Sequence, residues 1–223
     1  METKNQNPQT RKINEVQNLI ILDRSGSMSS IAEHAIAGVN ETLGTIRASA
    51  RDHEDLRQQV TLVSFCGCSV QIHCKNTPAE KVQNLTATDY QPCCSTPLYD
   101  TMGVALTEMR KHIGNRDDVA VSVTIITDGY ENASRKWTGP QIKALIELLK
   151  ADGWMFAYIG ANQDLETIKF NLSIDNTMSF ECNEASMKEM FTKECKARKR
   201  WTGKLSEPEA DIKSLNDDYF SSF

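Results

Sequence analysis

The chain has 223 residues, 39% of them hydrophobic and 25% charged, with 11 Gly and 6 Pro, which excludes a collagen-like or predominantly disordered polymer and gives one domain an ample core. Its longest aliphatic run, Leu19-Ile20-Ile21-Leu22, is too short to cross a bilayer, and a net charge of −5 offers no global attraction to nucleic acid or anionic lipid. Seven cysteines, with no apolar leader in residues 1–15, point to a reduced, cytoplasmic protein.

Residues 1–14 read as a flexible polar tail. Val16–Leu22 is a short apolar run bounded by turn residues, which suits a buried strand. Met28, Ala32, Ala35, Ile36, Val39, Leu43, Ile46 and Ala50 then form the stripe of an amphipathic helix predicted over 28–50. Val60–Phe65 and Ser69–Cys74 are predicted strands of a hairpin turning at Cys66-Gly67-Cys68. A loop over 84–95 leads to a helix that the sequence opens at Pro97, with Thr96 as its N-cap. Val119–Thr127 is rich in β-branched residues, the composition of a central strand. A helix from Pro140, stopped by Gly153, is followed by a strand over 154–159 and a helix over 164–174. A short strand over 177–180 and a helix over 184–201 complete the pattern. The alternation predicts an α/β fold, doubly wound around a mostly parallel sheet, with helices on both faces and the hairpin giving one antiparallel edge strand. Residues 204–223 are polar and acidic, and the expectation is a mobile tail in which Tyr219, Phe220 and Phe223 fray rather than dock.

Cys66, Cys68, Cys74, Cys93 and Cys94 lie close in sequence, with His73 beside them. No C-x-x-C knuckle is present, and adjacent Cys93-Cys94 is an awkward pair of ligands. Small buried or half-buried thiols are therefore favoured over structural zinc.

Three points of the chain carry chemistry together. Asp23-Arg24-Ser25-Gly26-Ser27 follows the first strand, Ser95-Thr96-Pro97-Leu98 opens a helix, and Thr127-Asp128-Gly129 follows the strand over 119–127. Ligands of open parallel sheets bind beyond the carboxyl ends of the strands, where both aspartates sit. Alone, each piece is an ordinary turn or cap. Together they offer five hard oxygens without imidazole or thiolate, a set that selects Mg²⁺, Mn²⁺ or Ca²⁺ over zinc or copper. With only two carboxylates, it suits octahedral Mg²⁺ that keeps water or an outside ligand.

In these residues the chain resembles the von Willebrand factor type A domains. Their metal-ion-dependent adhesion site is D-x-S-x-S, a distant Thr and a distant Asp, matched here by Asp23, Ser25, Ser27, Thr96 and Asp128. S-T-P-L-Y-D around Thr96 and T-D-G around Asp128 are similar to the bacterial intracellular branch, which often has Gly where this chain has Cys94. The resemblance covers residues 15–182, leaving 183–203 as a helix packed on or extending the domain. It implies a six-stranded sheet of order 3-2-1-4-5-6. It also implies a non-enzymatic function, binding another protein whose Asp or Glu completes the shell of a bound Mg²⁺. Intracellular relatives act beside AAA-type ATPases or in stress-response clusters, so the resemblance extends to partners of that kind.

Two other classes of function find less support in the residues. A Mg²⁺-dependent phosphoester hydrolase of the haloacid dehalogenase type needs a second Asp where Ser25 stands, and His34, His53, His73 and His112 fall away from the strand-end crevice. No Walker or G-x-G-x-x-G run suggests a nucleotide site. RNA binding rests on Lys193, Lys196, Arg198, Lys199, Arg200 and Trp201, which are expected to form an ordinary solvated helix face. Neither nucleic acid nor a membrane is an expected partner.

Overall fold

A computed structural model describes residues 12–161, 164–207 and 211–220; most of the expected N-terminal tail, and Phe223, lie outside these. Among the described residues the strands are β1 (Glu15–Asp23), β2 (Arg57–Cys66), β3 (Ser69–Pro78), β4 (Val119–Thr127), β5 (Met155–Ala161) and β6 (Asn176–Phe180). They form one sheet of order β3-β2-β1-β4-β5-β6, in which only β2 and β3 pair antiparallel. β1 is buried along its whole length and lies in parallel register between β2 and β4. The order reverses at β1, so the crevice between the carboxyl ends of β1 and β4 is the place where such sheets bind ligands.

The helices are α1 (Ala32–Asp52), α2 (Leu98–Ile113), α3 (Gly139–Ala151), α4 (Leu165–Leu172), α5 (Glu184–Leu205) and α6 (Ile212–Asp217). Period-two alternation in the strands divides the core between them. Leu19, Ile21, Val121, Val123 and Ile125 face α2, α3 and α4, whereas Ile20, Leu22 and Ile126 pack with Val39, Leu43, Met190 and Phe191 of α1 and α5. Among the described residues, no helix is long and apolar enough to cross a membrane.

Two expectations about the C-terminal region need correction. The basic run of α5 is only in part a solvated face: Lys193, Lys196, Lys199 and Arg200 keep contact with solvent, but Arg198 and Trp201 are buried. Arg198 pairs with Glu194 at 2.7 Å, and both side chains are almost wholly excluded from solvent. The guanidinium also donates to Asn18 Oδ1 of β1 and to Ser122 Oγ and Thr124 Oγ1 of β4. Nor is the segment after residue 204 uniformly loose. Asp211 caps α6 by accepting from the N–H groups of Lys213 and Ser214. Tyr219 is completely buried, packs edge-on against Trp201, and donates its hydroxyl to Glu194. Burial of an aromatic ring together with a satisfied hydroxyl outweighs the entropy that short polar tails usually keep.

Candidate metal centre

The first loop turns away from β1 immediately after Asp23. Ser25 N–H donates to Asp23 Oδ1 at 2.7 Å, while Gly26–Ile31 forms a 3-10 helix before α1. Tyr90, buried beneath the loop, donates its hydroxyl to Asp23 O. These contacts aim the Asp23 carboxylate across the top of the sheet, where Thr127 Oγ1 of β4 donates to Oδ2 at 2.6 Å.

The predicted oxygens are brought together. Ser25 Oγ lies 3.1 Å from Ser27 Oγ, and Ser27 Oγ donates to Asp128 Oδ1 at 2.7 Å. A Cβ built on Gly129 would lie 3.4 Å from Thr96 Oγ1, 3.6 Å from Ser27 Oγ and 3.9 Å from Asp23 Oδ2. Three loops thus surround one small cradle, with position 129 in contact distance of its oxygens. Asp23, Ser25 and Thr96 are buried, Asp128 is partly covered, and Ser27 is exposed on the open side. Burial raises the pKa of Asp23, offset in part by its hydrogen bonds and reinforced by the charge of Asp128; burial likewise raises that of Asp128. Two carboxylates held this way make a site of negative potential that favours a cation. The oxygen-only donor set fits a hard divalent ion.

Thr96 does not cap α2. The helix begins at Leu98, with Pro97 at its N-cap and no capping side chain there. Its first N–H groups are served from the loop after β4: Tyr99 N–H donates to Glu131 Oε2 and Asp100 N–H to Ser134 Oγ. In return, Asp100 accepts from the N–H groups of Arg135, Lys136 and Trp137. Thr96 N–H donates to Asn132 Oδ1, and Thr96 O accepts from Asn132 N–H. Trp137 lies so close over Gly103 of α2 that a Cβ there would come within 2.2 Å of its ring. This reciprocal lacing fixes the Thr96 and Asp128 loops relative to each other and leaves the Thr96 hydroxyl turned to the cradle. Sequence reasoning missed Glu131, Asp100, Asn132 and Tyr90, because their partners lie tens of residues away.

Glu131→Gln tests the lacing. Every bond to the Glu131 carboxylate comes from a donor, namely the N–H groups of Tyr99, Ala133 and Ser134 and the Ser134 hydroxyl. An amide turns two more donors onto them. A loss of about 1.5–3 kcal/mol is expected in denaturant titrations; an unchanged midpoint would show that the lacing carries no stability. Asp100 adds a pH signature. Burial disfavours its charge, but the three backbone donors outweigh it and hold the pKa low. Its contribution is therefore full above the unfolded value of about 3.9 and fades as pH falls through the lower folded value.

The histidines remain outside this constellation. His73, on β3, meets Ser64 Oγ at 2.8 Å, and His53, after α1, meets Ser206 Oγ at 3.2 Å. The cysteines depart from expectation. Cys66, Cys68, Cys93 and Cys94 place all four sulfurs within 4.8 Å of one another, and Cys68 and Cys94 are in disulfide contact.

No protein-family model and no curated protein sequence matches the chain. Solved structures do match in fold. Proximal thread matrix protein 1 from the mussel byssus aligns at TM-score 0.57 and 14% identity over 83% of this chain and 46% of its own length. This chain thus spans less than half of that protein. The manganese-loaded TRAP protein of Plasmodium vivax aligns at TM-score 0.53 and 18% identity, over 80% of this chain and 73% of its own. The vWF domain of the type V pili tip protein Mfa5 from Porphyromonas gingivalis aligns at TM-score 0.50 and 12% identity, over 81% of this chain and 95% of its own. With its strand order and single antiparallel pair, the chain has a von Willebrand factor type A-like α/β fold.

Proposed function

We propose that the chain is a metal-dependent protein-binding module, in which Asp23, Ser25, Ser27, Thr96 and Asp128 hold Mg²⁺, with Mn²⁺ or Ca²⁺ as substitutes. The observation that carries this reading is the convergence of Asp23 Oδ2, Ser27 Oγ and Thr96 Oγ1 within 3.9 Å of one point. When bound, the ion supplies a coordination position that an Asp or Glu carboxylate of a partner protein completes. The residues set the terms of that exchange. Asp23 and Asp128 balance the charge only in part, and the neutral hydroxyls add none, so an outside anion is favoured. Exposed Ser27 marks the side from which the partner approaches. The manganese-loaded neighbour is consistent with this reading through fold alone.

Ser25 stands where a haloacid dehalogenase-type hydrolase needs its second Asp, and metal-dependent phosphoester turnover is not part of the proposal. Burial takes Arg198 and Trp201 out of any RNA-binding face on α5. The domain is taken to run over residues 15–182 and to work in the cytoplasm.

Thermal unfolding in EDTA and in Mg²⁺ tests the proposal. An ion that binds only the folded state adds about 2.7 kcal/mol at one hundred times its dissociation constant. The melting temperature of the wild type is expected to climb with Mg²⁺, while Asp128→Asn stays flat. Equal melting temperatures in EDTA and saturating Mg²⁺ would remove the basis for this reading.

A further inference from the structure

Beside the oxygen cradle lies a second, chemically different cluster. Cys66 and Cys68 flank Gly67 at the tip of the β2–β3 hairpin, and Cys93 and Cys94 sit on the loop leading to Thr96. Their sulfurs lie within 4.8 Å of one another, with Cys66 Sγ 3.3 Å from Cys93 Sγ. Four sulfurs around one zinc ion at about 2.3 Å stand about 3.8 Å apart along the edges of a tetrahedron. We propose that, with the thiols reduced, Cys66, Cys68, Cys93 and Cys94 form a tetrathiolate zinc site that clamps the hairpin tip to the Thr96 loop.

Several features are arranged for this. Adjacent cysteines in extended chain point to opposite sides. Here Cys94 takes a left-handed φ of +63°, which breaks the extended path. A non-glycine residue held there is strained, so the surroundings must fix it. They do so through Gly26 N–H donating to Cys94 O, Cys93 N–H to Arg24 O and Gly67 N–H to Ser95 O. Gly67 approaches the loop so closely that a Cβ would fall 2.3 Å from Ser95 Oγ.

Arg24 decides between zinc and a purely oxidised cluster. It is buried, and among the described residues it makes no ion pair with a carboxylate. Its guanidinium reaches Gln91 O, Ser69 Oγ and, at 3.8 Å, Cys93 Sγ, while Nε is left without a hydrogen bond. A buried cation needs a counter-charge. Four thiolates around Zn²⁺ carry a net charge of minus two and supply it. Disulfides are neutral and leave Arg24 unbalanced.

A dithiol reductant gives two electrons and two protons to the Cys68–Cys94 pair, yielding two thiols and its own disulfide. Zinc then binds the four sulfurs, and each ligand that was a thiol releases its proton to solvent. Exposed Cys68 and Cys94 form the entry side.

The test uses the full chain, reduced with a dithiol, supplied with zinc and freed of loosely held ions. Metal analysis is expected to find one zinc per chain, released when a mercurial blocks the thiols. Cobalt in its place is expected to give the intense thiolate-to-metal charge-transfer band and the visible bands of a tetrahedral site. Cys66→Ser and Cys93→Ser are expected to abolish stoichiometric zinc. Asp128→Asn, which spares every cysteine, is expected to keep it, so failure here is distinguishable from failure of the Mg²⁺ reading. The proposal is overturned if the reduced wild type shows all seven thiols titratable with no zinc, or if a disulfide persists in dithiol and excludes the metal. Zinc that survives both cysteine variants, or is lost in Asp128→Asn, also overturns it.

Discussion

Arg198→Met is expected to remove about 3–5 kcal/mol of stability, the cost of leaving one member of a buried ion pair without its partner. Glu194 is wholly buried, and its Oε1 accepts from Arg198 and from the Tyr219 hydroxyl. Its Oε2 accepts from Thr42 Oγ1 of α1. Without the guanidinium, this carboxylate is an uncompensated charge inside the α1–α5 layer. Asn18, Ser122 and Thr124 also lose the donor that joins α5 to the sheet. The cost is a desolvation effect, so it should shrink when both charges are removed. Arg198→Met with Glu194→Leu is expected to be markedly more stable than Arg198→Met alone, because two apolar side chains can replace a buried pair at little net loss. Urea titrations of the wild type, both single variants and the double variant measure the coupling. A loss under about 1 kcal/mol in Arg198→Met would place the pair in the class of exposed bridges and contradict its burial.

The legible parts of the sequence were those governed by local rules. Val119–Thr127 could be read as β4 because nine mostly β-branched residues between turn signals have few other uses. The oxygen set was legible because three short motifs occurred at strand ends and a helix start, in the order that the resemblance required. What escaped was decided by partners distant in sequence. The apolar stripe runs back to Met28, yet α1 begins only at Ala32. Within the intervening 3-10 helix, Ser29 Oγ donates to Gly26 O and Ser30 Oγ to Ser27 O, side-chain bonds of the kind that compete with regular helix. Thr96 looked like an N-cap because local chemistry allows it, whereas Glu131 serves α2 from across the crevice. Glu194, Arg198 and Trp201 lie on one helical face, but the basic residues of the run have the composition of a solvated surface. The available signal was in the sheet, where Asn18 stands opposite Ser122 and shares its face with Thr124. Polar residues in two central strands call for a polar partner above them. The four cysteines were judged by spacing along the chain, which does not reveal that the hairpin tip folds onto the loop before Thr96.

Thr96→Ala is expected to weaken partner binding in Mg²⁺ about 5- to 150-fold, the usual span of a coupling between two ligands. Thr96 leaves the start of α2 to other residues. Its hydroxyl does not cap α2, and its N–H and C=O are bonded to Asn132 whatever its side chain. Loss of Oγ1 therefore leaves the two loops laced and takes one oxygen from the cradle. If a partner carboxylate completes the shell, metal and partner each bind more tightly in the presence of the other, and the two enhancements are equal by linkage. The Ala variant should lose part of both together, and Thr96→Ser, which keeps the hydroxyl, should restore them. Partners can be found by affinity capture in Mg²⁺, taking the proteins that EDTA releases. Titration calorimetry with and without Mg²⁺ then measures the coupling on the wild type and both variants. A partner that binds equally well in EDTA and Mg²⁺ would show that the ion is not at the interface, and the carboxylate mechanism would have to be abandoned even if the ion itself binds.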